Sequence, residues 1–331
     1  MNILVIGDPH LKISNIGNAE KFLNWIVELV EERKPDIVVN LGDTFHDHAV
    51  LRSEILGLFR KHFDAIIRLG SDYRYVLGNH DFFKPDSSKY HALQSFKGIQ
   101  GFTVYDEPSI GDEIGFVPYI PNPEDFPLQC SPITFVHQTF TGAHYGGGYM
   151  APDTEVDFND VKADLIISGH IHVQQWLGDK VFYPGTPYAQ SADDVDQDKG
   201  VFMLDTATKA MEFISSPLPM YRKLIVPKGS VSESIDHIVN SVNQQDVWIV
   251  DLEGHRAELS DVMFSKSVEE LRRSVKIRFR PKYLNSDKQK QKKISTKNMN
   301  SVLAEYVDDI YSGNLDKSEL KRILSDLVES H

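Results

Sequence analysis

Short apolar runs rich in β-branched residues punctuate the first two thirds of the chain. Ile3–Ile6, Ile37–Leu41 and Tyr73–Leu77 are strand-sized, as are Phe116–Ile120, Ile133–Val136, Leu165–Ile167 and Val201–Leu204. Between the first three lie two longer stretches with helical periodicity. Ala19–Arg33 lines up Phe22, Leu23, Ile26, Val27 and Val30, and Leu51–Leu69 lines up Ile55, Leu58 and Phe59. Strands alternating with helices predict an α/β core. The later strands follow one another with little helix between them. The pattern therefore predicts mixed β-sheet, either one sheet or a sandwich of two, with helices on the outside, and periodicity alone leaves both open.

The pattern changes near Ser215–Tyr221, where Pro217 and Pro219 interrupt it. Residues 1–218 then form one large domain and residues 219–282 a smaller α+β cap. In the cap, strand candidates Lys223–Val226, Val247–Leu252 and Val275–Phe279 flank helix candidates Ser230–Val242 and Lys266–Leu271. Residues 283–297, containing DKQKQKKISTK, have the composition of a solvated basic linker. Residues 298–331 carry two short amphipathic helices, one with Met299, Val302, Leu303, Tyr306, Val307 and Ile310. The other carries Leu320, Ile323, Leu324 and Leu327 behind an Asp316 cap.

Composition narrows the class without deciding it. With 41% hydrophobic and 25% charged residues the chain is typical of soluble globular proteins, and no apolar run reaches the length of a membrane span. The opening MNILVIGDPHL reads as a strand and not as a signal peptide. One cysteine, Cys130, fits a reducing compartment, and cytoplasm is the expectation. A net charge of −13 opposes nucleic-acid binding by bulk positive charge. Its distribution matters more, because residues 271–297 hold eleven Lys or Arg against one acid.

Acids and imidazoles recur just after the predicted strands. Asp8-Pro9-His10 follows the first, Gly42-Asp43 the second and Gly78-Asn79-His80-Asp81 the third; later come His137 and Gly169-His170-Ile171-His172. The carboxyl ends of strands in an open α/β sheet form a crevice, so seven side chains distant in sequence are expected to meet at one rim. Asp8, His10, Asp43, Asn79, His137, His170 and His172 together offer carboxylate, imidazole and amide oxygen, which suits borderline divalent cations such as manganese, zinc or iron. Asp43 is the candidate bridge between two cations, with Gly42 permitting the tight turn before it. His48, His62, His91, His144, His237, His255 and His331 lack such a context and are read as ordinary.

In this order and spacing the residues resemble the calcineurin-like metallophosphoesterase pattern D-x-H, G-D, G-N-H-[DE], H and G-H-x-H. The resemblance implies a dimetal site in which Asp8, His10, Asp43 and His172 hold one ion and Asp43, Asn79, His137 and His170 the other. The ions would be manganese, with magnesium as the alternative. Gly42–His46, G-D-T-F-H, is similar to the SbcD-type DNA repair nucleases, and so is Tyr183-Pro184-Gly185-Thr186-Pro187 with Ser191. That resemblance implies catalytic roles for His80 and His46 at the phosphate; Asp81, next to His80, either orients it or serves as a helix N-cap or turn residue. It also implies DNA as substrate and an SMC-like ATPase as partner, bound through the C-terminal helices. Homodimerisation is implied too, through helices near Leu51–Phe63 and Ser87–Phe96. In contrast to the family, Lys12 replaces a common glycine, and the cap and tail are short.

Three functions follow from these residues. A DNA nuclease subunit uses the metal site, the basic stretch and the tail. A small-molecule phosphodiesterase or phosphatase uses the metal site alone, and an inert scaffold uses neither. No G-x-x-x-x-G-K-[ST] is present, so ATP dependence would have to come from a partner.

Overall fold

A computed structural model of the chain describes residues 1–48, 51–84, 87–284 and 317–318. Its principal strands over the first two thirds are β1 (Asn2–Ile6), β2 (Ile37–Asn40), β3 (Asp72–Val76), β4 (Phe102–Tyr105), β5 (Ile114–Val117) and β6 (Ile133–His137). They continue with β7 (Leu165–Gly169), β8 (Gln175–Leu177), β9 (Val181–Tyr183), β10 (Gly200–Asp205) and β11 (Met211–Ser215). Helices α1 (Ile16–Arg33) and α2 (Ser53–Arg68) separate the first three strands.

Two sheets result. The first runs β11-β10-β1-β2-β3-β4 and the second β8-β9-β7-β6-β5. In the first, β1 to β4 are parallel neighbours and β10 joins β1 antiparallel. The second is likewise mixed, with β5, β6, β7 and β9 parallel and β8 antiparallel on its edge. Strand alternation assigns the faces. Ile3 and Val5 of β1 face the other sheet and pack with Phe135, Ile167 and Phe182, whereas Leu4 and Ile6 face Phe22, Ile26, Phe59 and Phe63 of α1 and α2. Both faces of the central strands are thus buried, which is why they read as unbroken apolar runs. The predicted mixed α/β fold is present as a sandwich of two sheets, and α1 and α2 cover the outer face of the first.

The C-terminal unit has strands β12 (Tyr221–Val226), β13 (Val247–Gly254) and β14 (Lys276–Tyr283) in one parallel sheet. Helices α3 (Val231–Ser241), α4 (Arg256–Met263) and α5 (Lys266–Ser274) close one face over Val226, Ile238, Val250, Leu252, Val262 and Val268. The Ser230 hydroxyl accepts from the Glu233 amide and caps α3. On the uncovered face the alternation of β14 presents Lys276, Arg278, Arg280 and Lys282, while Ile277 and Phe279 turn toward the helices.

Some expectations change. A helix over Ser87–Phe96 is not formed: Ser87–His91 is a strand paired with Phe82–Lys84, followed by a 3-10 turn at Gln94–Phe96. The backbone of Ser87–His91 is paired instead with the preceding strand and, through the following Ala92 amide, the stretch is tied to the Asp81 carbonyl. Strands β4, β8, β9 and β11 and helix α4 go beyond the elements the hydrophobic pattern predicts. The basic linker beyond Leu284 and the tail helices, apart from residues 317–318, lie outside the described residues.

Candidate metal centre

Five turns at the carboxyl ends of β1, β2, β3, β6 and β7 converge, and the backbone there is forced into unusual shapes. His10, Asp43 and His170 have φ of 44°, 50° and 79°. Non-glycine residues in the left-handed region cost about 1–3 kcal/mol each and cluster at functional sites. The turns brace one another: the His10 amide donates to the Asp43 carbonyl at 3.0 Å, and that of Leu11 to Thr44 at 2.7 Å. At Gly78 the approach is so close that a Cβ would stand 2.1 Å from Asp43 Oδ1 and 2.6 Å from His137 Cε1.

The strained turns aim two sets of donors at adjacent points. Asp8, His10 and His172 bring ligand atoms within 4.8 Å of one another, and so do Asp43, His137 and His170. Asn79 joins the second set, its Oδ1 lying 2.7 Å from His170 Nδ1 and 3.1 Å from His137 Nε2. Asp43 Oδ2 is 3.4 Å from His137 Nε2 and 3.9 Å from His10 Nε2, within reach of both sets. All seven residues singled out as metal ligands therefore meet at one rim, with Asp43 between the groups.

The donors fit a pair of cations. Both oxygens of Asp8 are buried without a hydrogen bond among the described residues. His10 Nε2 and His172 Nε2 face each other at 2.9 Å. Burial pushes His10 well below the usual imidazole range, His170 down to about 3 and His172 down to about 4. Their rings are neutral and present lone pairs. Burial likewise lifts Asp8 well above the usual carboxylate range. Although burial would also lift Asp43 and lower His137, their mutual attraction outweighs it, holding Asp43 below its ordinary value and raising His137 to about 9. His137 Nδ1 lies 2.6 Å from the Leu41 carbonyl and so carries a proton, leaving Nε2 toward Asp43 and Asn79. Unpartnered carboxylate oxygens and imidazole nitrogens thus converge between the turns as a donor set for cations.

Beside the first group lies a third set, His10, His46 and His80, again with nitrogens within 4.8 Å. His80 Nδ1 is 2.9 Å from the His46 carbonyl, and the His80 amide donates to Asp43 Oδ1 at 2.8 Å. Of the two roles open to Asp81, the structure has the turn residue and not the orienter of the His80 ring. Asp81 is buried and its oxygens accept from the amides of Asp43 and Gly78 and from the Tyr75 hydroxyl at 2.9–3.0 Å. Sequence adjacency suggested the wrong partner: the 3-10 turn Asn79–Asp81 sends consecutive side chains in different directions. Burial and the neighbouring Asp43 raise Asp81 to about 7.

Three participants had no part in the sequence expectation. His48, read as ordinary, stacks on His80 with ring centroids 3.9 Å apart. The signal was available, since His46-x-His48 repeats the spacing of His170-x-His172. Tyr119 stacks on His170 at 5.7 Å. Lys199, buried, donates from Nζ to the His172 carbonyl (3.1 Å) and Thr186 Oγ1 (2.7 Å) and pairs with Asp194 (2.7 Å), bracing the His170–His172 turn from behind. The other histidines read as ordinary include His62, buried against the Leu23 carbonyl, and His91, beside Asp106.

Comparison with known proteins agrees with this geometry. The family model of the calcineurin-like phosphoesterases matches residues 1–174. Protein 244L of Invertebrate iridescent virus 6, named as a phosphoesterase, is 31% identical over 242 residues, covering 68% of this chain and 83% of its own length. Protein 078R of Invertebrate iridescent virus 3, with a similar name, is 27% identical over 56% of this chain and 57% of its own. Exonuclease subunit 1 of Enterobacteria phage T4 is 23% identical over 70% of this chain and 73% of its own. Among the described residues no helix is long and apolar enough to cross a membrane.

Proposed function

Because the chain belongs to the calcineurin-like phosphoesterases, metal-dependent hydrolases of phosphoesters, we propose that its substrate is DNA and that it cleaves phosphodiester bonds with two manganese ions. The observation that carries this reading is a cleft of about 740 Å³ that begins at His172 and is lined on its far side by Lys223 and Arg280 of the C-terminal sheet. A small-molecule phosphatase has no use for a row of cations leading away from its metals, whereas a polyanion does.

Asp8, His10, Asp43 and His172 would hold one ion, and Asp43, Asn79, His137 and His170 the other. When bound, such a pair activates water and offsets charge on the phosphate. The chain's own residues do the rest. The carbonyl of His46 only accepts hydrogen bonds, so it holds the proton on His80 Nδ1 and leaves Nε2 for a phosphate or leaving oxygen. His46 stands at the same edge, and His48 limits rotation of the His80 ring by stacking on it. Asp81 is a positioning residue that fixes the backbone of Asp43 and Gly78.

The phage exonuclease relative and the G-D-T-F-H element support placing the chain as the nuclease subunit of an SbcCD-like repair complex. An SMC-like ATPase would dock on the apolar faces of the two C-terminal helices, and a second copy of the chain would complete the assembly. The test is manganese-dependent digestion of linear duplex and single-stranded DNA beside a nitrophenyl phosphodiester, with and without the ATPase and ATP. Hydrolysis of both DNA forms is expected. Turnover of the small diester with both DNAs left intact would make the chain a small-molecule phosphodiesterase.

A further inference from the structure

The wall of the cleft opposite the basic sheet is a β-hairpin that the phosphodiester chemistry does not require. His144–Gly146 pairs with Tyr149–Met150 around Gly147 and Gly148, and glycines 146, 147 and 148 all have positive φ, which gives a tight tip. Its base is fixed: the His144 amide donates to Gln175 Oε1 and Gln175 Nε2 donates to the His144 carbonyl, both at 2.7 Å. Tyr145 is held by a 3.2 Å contact between its hydroxyl and Thr139 Oγ1.

On this braced frame the hairpin displays apolar surface that is costly to leave in water. Tyr149 is 76% exposed, Met150 57% and Tyr145 43%. Tyr145 and Tyr149 line the same cleft as His172, Lys223 and Arg280. One wall is therefore aromatic and the other cationic, with a metal-ligand imidazole at the inner end. Asp193 and Asp194 line the floor, and Asp194 is paired with buried Lys199. The volume, about 740 Å³, is far too small for a turn of duplex. Aromatic faces opposite cations are the means by which proteins hold single-stranded nucleic acid, stacking on bases and tracking phosphates.

We infer that the His144–Met150 hairpin is a base-stacking element that grips the unpaired nucleotides at a strand end, with Tyr149 as the principal face and Tyr145 behind it. This rests on the reading of the chain as a nuclease and adds the form of DNA it takes: a frayed or single-stranded terminus whose bases lie on the hairpin while Lys223 and Arg280 hold the backbone. A blunt, fully paired end would have to open before entering.

The test is titration of the manganese-loaded protein with a short single strand whose linkages are non-cleavable phosphodiester analogues and which carries 2-aminopurine at its terminal nucleotides, and with a blunt duplex of the same backbone carrying the same base. With the native chain we expect tighter binding of the single strand and quenching of its fluorescence by stacking. Tyr149→Ala should lose the quenching and about tenfold in affinity, the scale of one lost base stack, and Tyr149→Trp should retain both. Equal quenching and affinity for native chain and Tyr149→Ala would overturn the hairpin's role while leaving the nuclease reading in place. Failure of the native chain to bind either DNA, with the nitrophenyl phosphodiester still hydrolysed, would overturn both. Circular dichroism of Tyr149→Ala separates a folding defect from lost stacking; should that variant misfold, Tyr149→Ser and quenching by the native chain carry the comparison.

Discussion

The metal rim and the basic sheet face are opposite solutions to the problem of placing charge. At the rim, Asp8, His10, Asp43 and His137 are buried, the backbone at His10, Asp43 and His170 is left-handed, and glycine is obligatory where Gly78 touches Asp43. On the C-terminal sheet, Lys276, Arg278, Arg280 and Lys282 fall on one side by strand alternation alone, in an ordinary extended backbone. The first arrangement fixes atoms to fractions of an ångström at a cost in strain and desolvation. The second fixes only a stripe. Chemistry needs the former; the stripe requires only strand alternation.

Substitutions should separate the two regions sharply. The largest effect is expected at Asp43→Ala, which removes the oxygen shared by both donor groups: manganese uptake, measured by calorimetry, should vanish together with all turnover. His80→Ala should lower turnover by about 10²–10⁴ while bound manganese stays at two per chain. Equal metal loss in both variants would contradict the division of roles. Lys199→Met withdraws the support behind His172 and should weaken manganese binding by roughly 10–100-fold, read in the same titration; an unchanged isotherm would show the turn to be self-supporting. On the sheet face the effects should be smaller and sensitive to salt. Lys223→Ala with Arg280→Ala should reduce the slope of log affinity against log salt for single strands by about 1.4, two phosphate contacts at about 0.7 each. Smallest of all, Asp251→Asn should tighten strand binding a few-fold. Asp251 is buried under Lys223, Arg280 and Lys282 at 3.6, 2.7 and 3.0 Å, and its charge tempers all three.

Legibility in the sequence follows the same divide. The rim could be read because Asp and His are informative residues at strand ends, and each ligand follows an apolar run that announces its strand. Partners that depend on the path of a turn could not be read. His46-x-His48 repeats a ligand spacing, but spacing alone does not tell that the His48 ring lies on His80, and adjacency to His80 does not tell that the Asp81 oxygens serve amides of two different turns. Strand β4, with Thr103 breaking a short apolar run, and the strand Ser87–His91, polar along most of its length, lacked the periodicity that betrays an element. The fold of the body was legible from hydrophobic alternation, but the choice between one sheet and two rested on contacts such as Val5 with Phe135 that no local pattern encodes.

His10 and His172 meet across 162 residues of chain. Nothing short of the nearly finished sandwich can bring them together, because β7 must dock beside β6 before its terminal turn reaches the exit of β1. Hydrolytic power is thereby withheld from any unfinished or partly unravelled form of the molecule. A nascent polypeptide carrying Asp8, His10, Asp43 and Asn79 still lacks His137, His170 and His172, and the last turn to arrive serves as the safety catch.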